Sequence, residues 1–219
     1  MVRSSSPAPS ERSRVRRAPA RADYDRATID AILDEALVAH LGFTVDDQPY
    51  VIPTLHARIG DEVYVHGSTA SRMVKTVGAG VPVCLTATLL DGLVLARSAF
   101  NHSMNYRSVV VLGQARYVEG DAERTAAMEA LTERLVPGRW AECRPPSRQE
   151  MKGTQMLALS LDEASAKVRA GGPVDAAEDY ASDAWAGVVP LRLTRGAIEP
   201  DEQLRDDIPV PASVEAWVS

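Results

Sequence analysis

Aromatic residues are scarce in this chain: two Phe, three Trp and six Tyr make up 5% of 219 residues. With 45% apolar residues overall, a core must therefore be built mostly from Val, Leu, Ile and Ala. Cysteine is nearly absent. Cys84 lies in the apolar run Val81-Pro82-Val83-Cys84-Leu85 and reads as a buried thiol, and neither its spacing to Cys143 nor their neighbours suggest zinc. Two cysteines could form one disulfide, but without a secretion signal a reducing cytoplasm is the better expectation. No run approaches the ~18 apolar residues that span a bilayer, so no membrane partner is expected. Positive charge is lacking too: the net charge is −6 and the pI about 5.3, opposite in sign to a folded nucleic-acid binder. His40, His56, His66 and His102 have no metal-site spacing, so no bound metal is expected. The chain has no Gly-x-Ser-x-Gly elbow, no P-loop and no dinucleotide fingerprint.

The length suits one domain with extensions. Residues 1–22 hold six arginines, one acid and many Ser, Ala and Pro. That composition buries too little surface to offset chain entropy, and a disordered basic tail is expected. From Arg26 to His40, Ile29, Ile32, Leu33 and Leu37 fall at helical spacing. Short strands follow: 41–45, then 50–59 after the turn Asp46-Asp47-Gln48-Pro49, then 63–66. Pro53 cannot donate to a strand ladder, which suggests an edge, a bulge or a ligand-facing kink. Residues 83–88 and 93–96 read as two strands joined at Asp91-Gly92, a good hairpin signal. A long strand over 106–118, a helix over 121–136 and a strand over 155–161 complete a domain at 23–170. Strands in hairpin order with few helices predict a mainly β, α+β fold: a six-stranded antiparallel barrel with peripheral helices. Residues 171–219 form a Pro- and Asp-rich C-terminal extension whose apolar stretch 185–193 would lie on the barrel or on a partner subunit.

One segment invites chemistry. In Tyr64-Val65-His66-Gly67-Ser68-Thr69-Ala70-Ser71-Arg72-Met73-Val74-Lys75 a strand ends in a Gly/Ser loop and a helix begins. Helix N-termini present free N–H groups to phosphate. Ser68, Thr69 and Ser71 add hydroxyls, while Arg72 and Lys75 share one helical face. A capped surface helix with two solvated cations is the plainer reading.

The stretches Leu41-Gly42-Phe43, Gln48 to Pro53, Val63 to Ser68 with Ser71, Arg72 and Lys75, and Asn105-Tyr106-Arg107-Ser108-Val109 together resemble the flavin-nucleotide-binding branch of the pyridoxamine-phosphate-oxidase-like family, over roughly residues 26–170. That branch includes relatives linked to nitroimidazole reduction, with a His where His66 stands. The resemblance implies a split β-barrel homodimer with two FMN sites at its interface. Carried over residue by residue, Ser68, Ser71, Arg72 and Lys75 would hold the FMN phosphate. Ile52, Pro53 and Thr54 would line the isoalloxazine edge, and Tyr64 and His66 would approach the ribityl chain or ring. Asn105, Arg107 and Ser108 would reach in from the second subunit. Trp185-Ala186-Gly187 is similar to a Trp-x-Gly segment near the flavin, but the Arg-x-His that follows it in pyridoxamine-phosphate oxidases is replaced by Leu191-Arg192-Leu193. That departure argues against pyridoxamine-phosphate oxidation itself. The implied function is an FMN-dependent oxidoreductase acting on a small molecule, with His66 the one weak candidate for a catalytic acid. A flavin carrier or sensor, or a haem or deazaflavin binder on the same barrel, are the alternatives. Arg107 would serve equally in an ion pair, Trp185 as an anchor for the extension, and His66 as a satisfied strand-end histidine.

Overall fold

The computed structural model describes residues 6–218. In chain order its elements are β1 (Ala22–Asp23), α1 (Arg26–Glu35), β2 (Val38–Val45), β3 (Gln48–Ile59), β4 (Glu62–Ser68), α2 (Arg72–Gly78), β5 (Pro82–Leu95), β6 (Ser103–Gln114), β7 (Arg116–Tyr117), α3 (Asp121–Leu135), α4 (Arg139–Glu142), α5 (Arg148–Gly153), β8 (Thr154–Ser160), β9 (Ala164–Arg169), β10 (Gly187–Pro190) and α6 (Ala212–Val218). The strands pair antiparallel in the order β1-β9-β6-β5-β2-β3-β4-β8-β7. Only Ala115 separates β6 from β7, yet β7 pairs β8 at the far end of that order. One chain segment thus links β6, third from one end, to the opposite end of the sheet, which curls into a barrel.

The barrel interior holds Leu41, Phe43, Val63, Val65, Leu85, Val109, Val111, Leu157 and Leu159, the aliphatic core that so few aromatics require. α1 inserts Ile29, Ile32 and Leu33 at one end and α2 inserts Val74 and Val77. A second cluster, Ala57, Tyr64, Val118, Ala127, Leu131 and Met156, lies beneath α3.

Ten strands stand where six were expected, and each difference has a local cause. β1 and β7 are two residues long and carry no period. β9 begins Ala164-Ser165-Ala166, whose small side chains barely register as alternation. The expected hairpin at Asp91-Gly92 is a bulge inside one continuous β5, between Leu90 and Gly92. Gly92 lets β10 run close alongside: a Cβ there would lie 3.0 Å from the Val189 carbonyl oxygen. The helix expected to reach His40 ends at Glu35, because residues 38–45 pair with β3 and 39–42 pair with β5 as well. The β2–β3 turn is tighter than expected. Asp46 and Asp47 both take positive φ, 48° and 62°, the left-handed pair that suits a two-residue hairpin.

Residues 6–22 depart from the expected tail; residues 1–5 lie outside the described residues. Ser13 is buried, the Ser10 hydroxyl donates to Glu163, and the Val15 N–H donates to the Tyr24 hydroxyl at 2.8 Å. Polar side chains and one short β-bridge do here what apolar residues could not. The C-terminal extension is tied down at its start by Asp175. Its carboxylate accepts from the backbone N–H groups of Arg97 and Ser98 and from the Arg97 guanidinium.

Candidate functional site

β3 changes partner along its length, pairing β2 through 48–55 and β4 through 56–59. From Gln48 to Leu55 it bonds β2 alone, leaving one backbone edge open. Pro53 sits in that stretch, so its missing N–H costs the sheet nothing. Ile52 and Pro53 are exposed, and Thr54 is partly covered, its hydroxyl donating to the Leu55 carbonyl.

The end of this edge meets α2. The Arg72 guanidinium lies 4.8 Å from the centroid of the Tyr50 ring, which stacks on Phe43 at 5.7 Å. Tyr50 was missed as a site residue: an aromatic at the start of a strand carries no local sign of the helix that docks against it. α2 starts at Ser71, whose Oγ accepts from the Val74 N–H at 3.1 Å. Ser68 Oγ accepts from the Ala70 N–H at 3.2 Å. Gly67 is required by the packing of this loop, since a Cβ would stand 2.8 Å from Val74 Cγ2. Arg72 and Lys75 are exposed, and neither has a carboxylate within 4 Å among the described residues. The structure therefore groups Ser68, Ser71, Arg72, Lys75 and the open edge through Tyr50. An anion is the chemistry this corner suits, with hydroxyl donors and two uncompensated cations.

His66 points to the same face of β4 as Ser68 and pairs with Met156. Its Nδ1 is buried with no hydrogen-bond partner, and desolvation lowers its pKa, so the ring is neutral near pH 7. Tyr64, two residues before His66, is held in place by its own chain. Its ring is buried beneath α3, and its hydroxyl lies 2.9 Å from both Glu62 and Glu123. Burial first, then those carboxylates, raise its pKa, so it stays phenolic.

The β6 residues fall elsewhere. Within one chain β5 and β2 stand between β6 and β3. Arg107 is held by two acids: it donates to Asp91 at 2.8 and 3.0 Å and bidentately to Glu35. These partners drive its pKa up, and Arg107 in turn holds Glu35 below the ordinary carboxylate range. Asn105 donates to the Gly171 carbonyl at 3.1 Å and accepts from Arg169. Ser108 donates to the Lys167 carbonyl. Trp185 is 66% exposed and folds against Gly187, where a Cβ would meet its ring at 2.7 Å. Among the described residues its ring makes no aromatic or cation–π contact with the α2 corner.

The sequence matches the pyridoxamine 5'-phosphate oxidase family over residues 25–168. The chain belongs to that family. The flavocytochrome Anf3 from Azotobacter vinelandii is 42% identical, with a TM-score of 0.91 over 95% of this chain and 97% of its own. The FAD and heme binding protein from Mycobacterium smegmatis is 38% identical, with a TM-score of 0.86 over 90% of this chain and 96% of its own. A Bacteroides thetaiotaomicron protein assigned to 5-nitroimidazole antibiotic resistance shares the fold at 20% identity, with a TM-score of 0.57 over 67% of this chain and 86% of its own. No curated protein matches the sequence. The family match stops at residue 168, whereas the first two alignments are too long to omit the C-terminal extension. Among the described residues no helix is long and apolar enough to cross a membrane.

Proposed function

We propose that this protein is a flavin-nucleotide-dependent redox protein. One observation carries the reading: two cations without acid partners stand at a serine-capped helix start, joined through Tyr50 to an open β3 edge. Ser68, Ser71, Arg72 and Lys75 would hold the phosphate. The free backbone groups of Ile52, Pro53 and Thr54 would meet the polar rim of the isoalloxazine. Bound flavin would supply the electron-transfer chemistry, so no side chain need be a nucleophile. His66, neutral and with an unsatisfied Nδ1, is the one group here suited to exchanging a proton with a ligand.

The reading includes a homodimer. Val38 and Val51, on one face of β2 and β3, are 50% and 65% exposed, and with the exposed Pro53 between them form an apolar strip that a second copy would cover. Asn105, Arg107 and Ser108 would then lie near the partner's flavin, held in position by their own chain.

A second reading, a flavocytochrome holding haem as well and FAD instead of FMN, has its own support. Both proteins above 35% identity align through the C-terminal extension, and they are a flavocytochrome and an FAD and heme binding protein. The test is the visible spectrum of the purified protein, followed by chromatography of the released cofactor. Anaerobic reduction, then addition of a quinone or nitroaromatic, separates an oxidoreductase from a carrier. A protein that takes up neither FMN nor FAD would overturn the reading.

A further inference from the structure

A cleft of about 1260 Å³ opens between the end of α1, the β5 bulge and the C-terminal extension. It contains none of Ser68, Ser71, Arg72 or Lys75, and shares only Arg107 with the residues that the homodimer reading sets near the partner's flavin. Four arginines and three acids line it: Glu35 and Asp91 pair with Arg107, and Asp34 is taken by Arg58 outside the cleft, which leaves three arginines without a paired acid. Arg134 donates to the Ala36 carbonyl at 2.9 Å, but its Nε is buried with no partner. Arg192 and Arg195 have no carboxylate within 4 Å among the described residues. The Arg195 guanidinium sits 3.7 Å from the centroid of the Trp217 ring, which steadies it and leaves its N–H groups without an acid. Leu191 and Leu193 complete an apolar wall.

We propose that this cleft is a second binding site and that it takes a nucleoside diphosphate group. Three cations without paired acids call for more than one negative charge, and the guanidinium fork matches phosphate oxygens. The volume exceeds what a small acid would fill and suits a nucleotide. Trp217 and the two leucines offer the base an apolar surface. The group arrives either on a free nucleotide or as the nucleotide half of a dinucleotide flavin. In the second case the inference rests on the flavin reading above.

The test uses the full-length protein as purified and an Arg192→Ala/Arg195→Ala double variant. Both arginines are exposed, so an unchanged melting temperature is the folding control. ADP and adenosine are titrated calorimetrically, and FAD and FMN affinities are measured on both proteins. A free-nucleotide site binds ADP at least about tenfold more tightly than adenosine, and the variant loses about tenfold or more of the ADP affinity while keeping its flavin affinities. A site for the cofactor's nucleotide half shows instead as an equal loss for FAD with FMN unchanged. Unaltered ADP, FAD and FMN affinities in the variant would overturn the proposal, as would adenosine binding as well as ADP. A protein without flavin affinity that still bound ADP through these arginines would defeat the flavin reading alone.

Discussion

Replacing Arg72 by Ala separates a phosphate grip from a structural cation. In the folded chain the Arg72 guanidinium lies 4.8 Å from the centroid of the Tyr50 ring and pairs with no carboxylate among the described residues. An exposed cation–π contact contributes about 0.5–1 kcal/mol, so stability should fall by no more than that. A charge-assisted hydrogen bond to a phosphate contributes about 1.5–3 kcal/mol, which is roughly a ten- to hundredfold change in affinity. Arg72→Ala should therefore weaken FMN by at least about tenfold while barely moving the melting temperature. Lys75→Ala should do the same with a smaller effect, because lysine offers a point charge and no bidentate fork. Riboflavin, which lacks the phosphate, should bind both variants as it binds the parent. The assay is a parallel fluorescence titration of FMN and riboflavin at fixed salt. Equal losses for the two ligands would refute the phosphate assignment, and no loss for either would return both cations to the solvent.

Gly67→Ala should cost about 1–3 kcal/mol by overpacking against Val74, and flavin uptake should fall with it; unchanged urea denaturation would contradict that packing. Glu35 is held below its ordinary pKa of 4.5 by Arg107, so the pairing stabilises the fold above that pH and is lost as pH falls through the lowered value. Arg107→Ala should thus lower stability at neutral pH and flatten the acid limb below about pH 4.5; denaturation curves across pH that kept the parent slope would argue against it. Asp175→Ala should free the start of the C-terminal extension, read as faster proteolytic cleavage near Gly171 and Gly172, whereas parent-like resistance would show that β10 holds the extension alone.

The barrel was legible because its strands carry period-two alternation over residues such as 50–59 and 83–88, and because Pro53 marked the open edge of β3. Ser71 as a cap and Arg72 with Lys75 on one helical face could be read from spacing. What escaped the sequence was long-range. The acids that hold Arg107, Glu35 and Asp91, lie far from it in the chain, and no local spacing names them. Tyr64 and His66 share a strand face, and only the docking of α3 distinguishes the buried phenol from the half-buried imidazole. Asp91-Gly92 carries hairpin chemistry, yet continuous pairing with β6 on both sides of the bulge overrides it. Residues 6–22 have the composition of a disordered segment. Their anchoring comes from isolated partners such as Glu163 and Tyr24, which composition does not encode.

The most direct measurement is the absorption spectrum of the purified protein before and after anaerobic dithionite, with the released cofactor identified by chromatography. Flavin bands that bleach on reduction and return in air are expected, with FMN or FAD recovered in a ratio near one per chain. A colourless protein that also gives no calorimetric signal with added FMN or FAD would contradict the flavin reading.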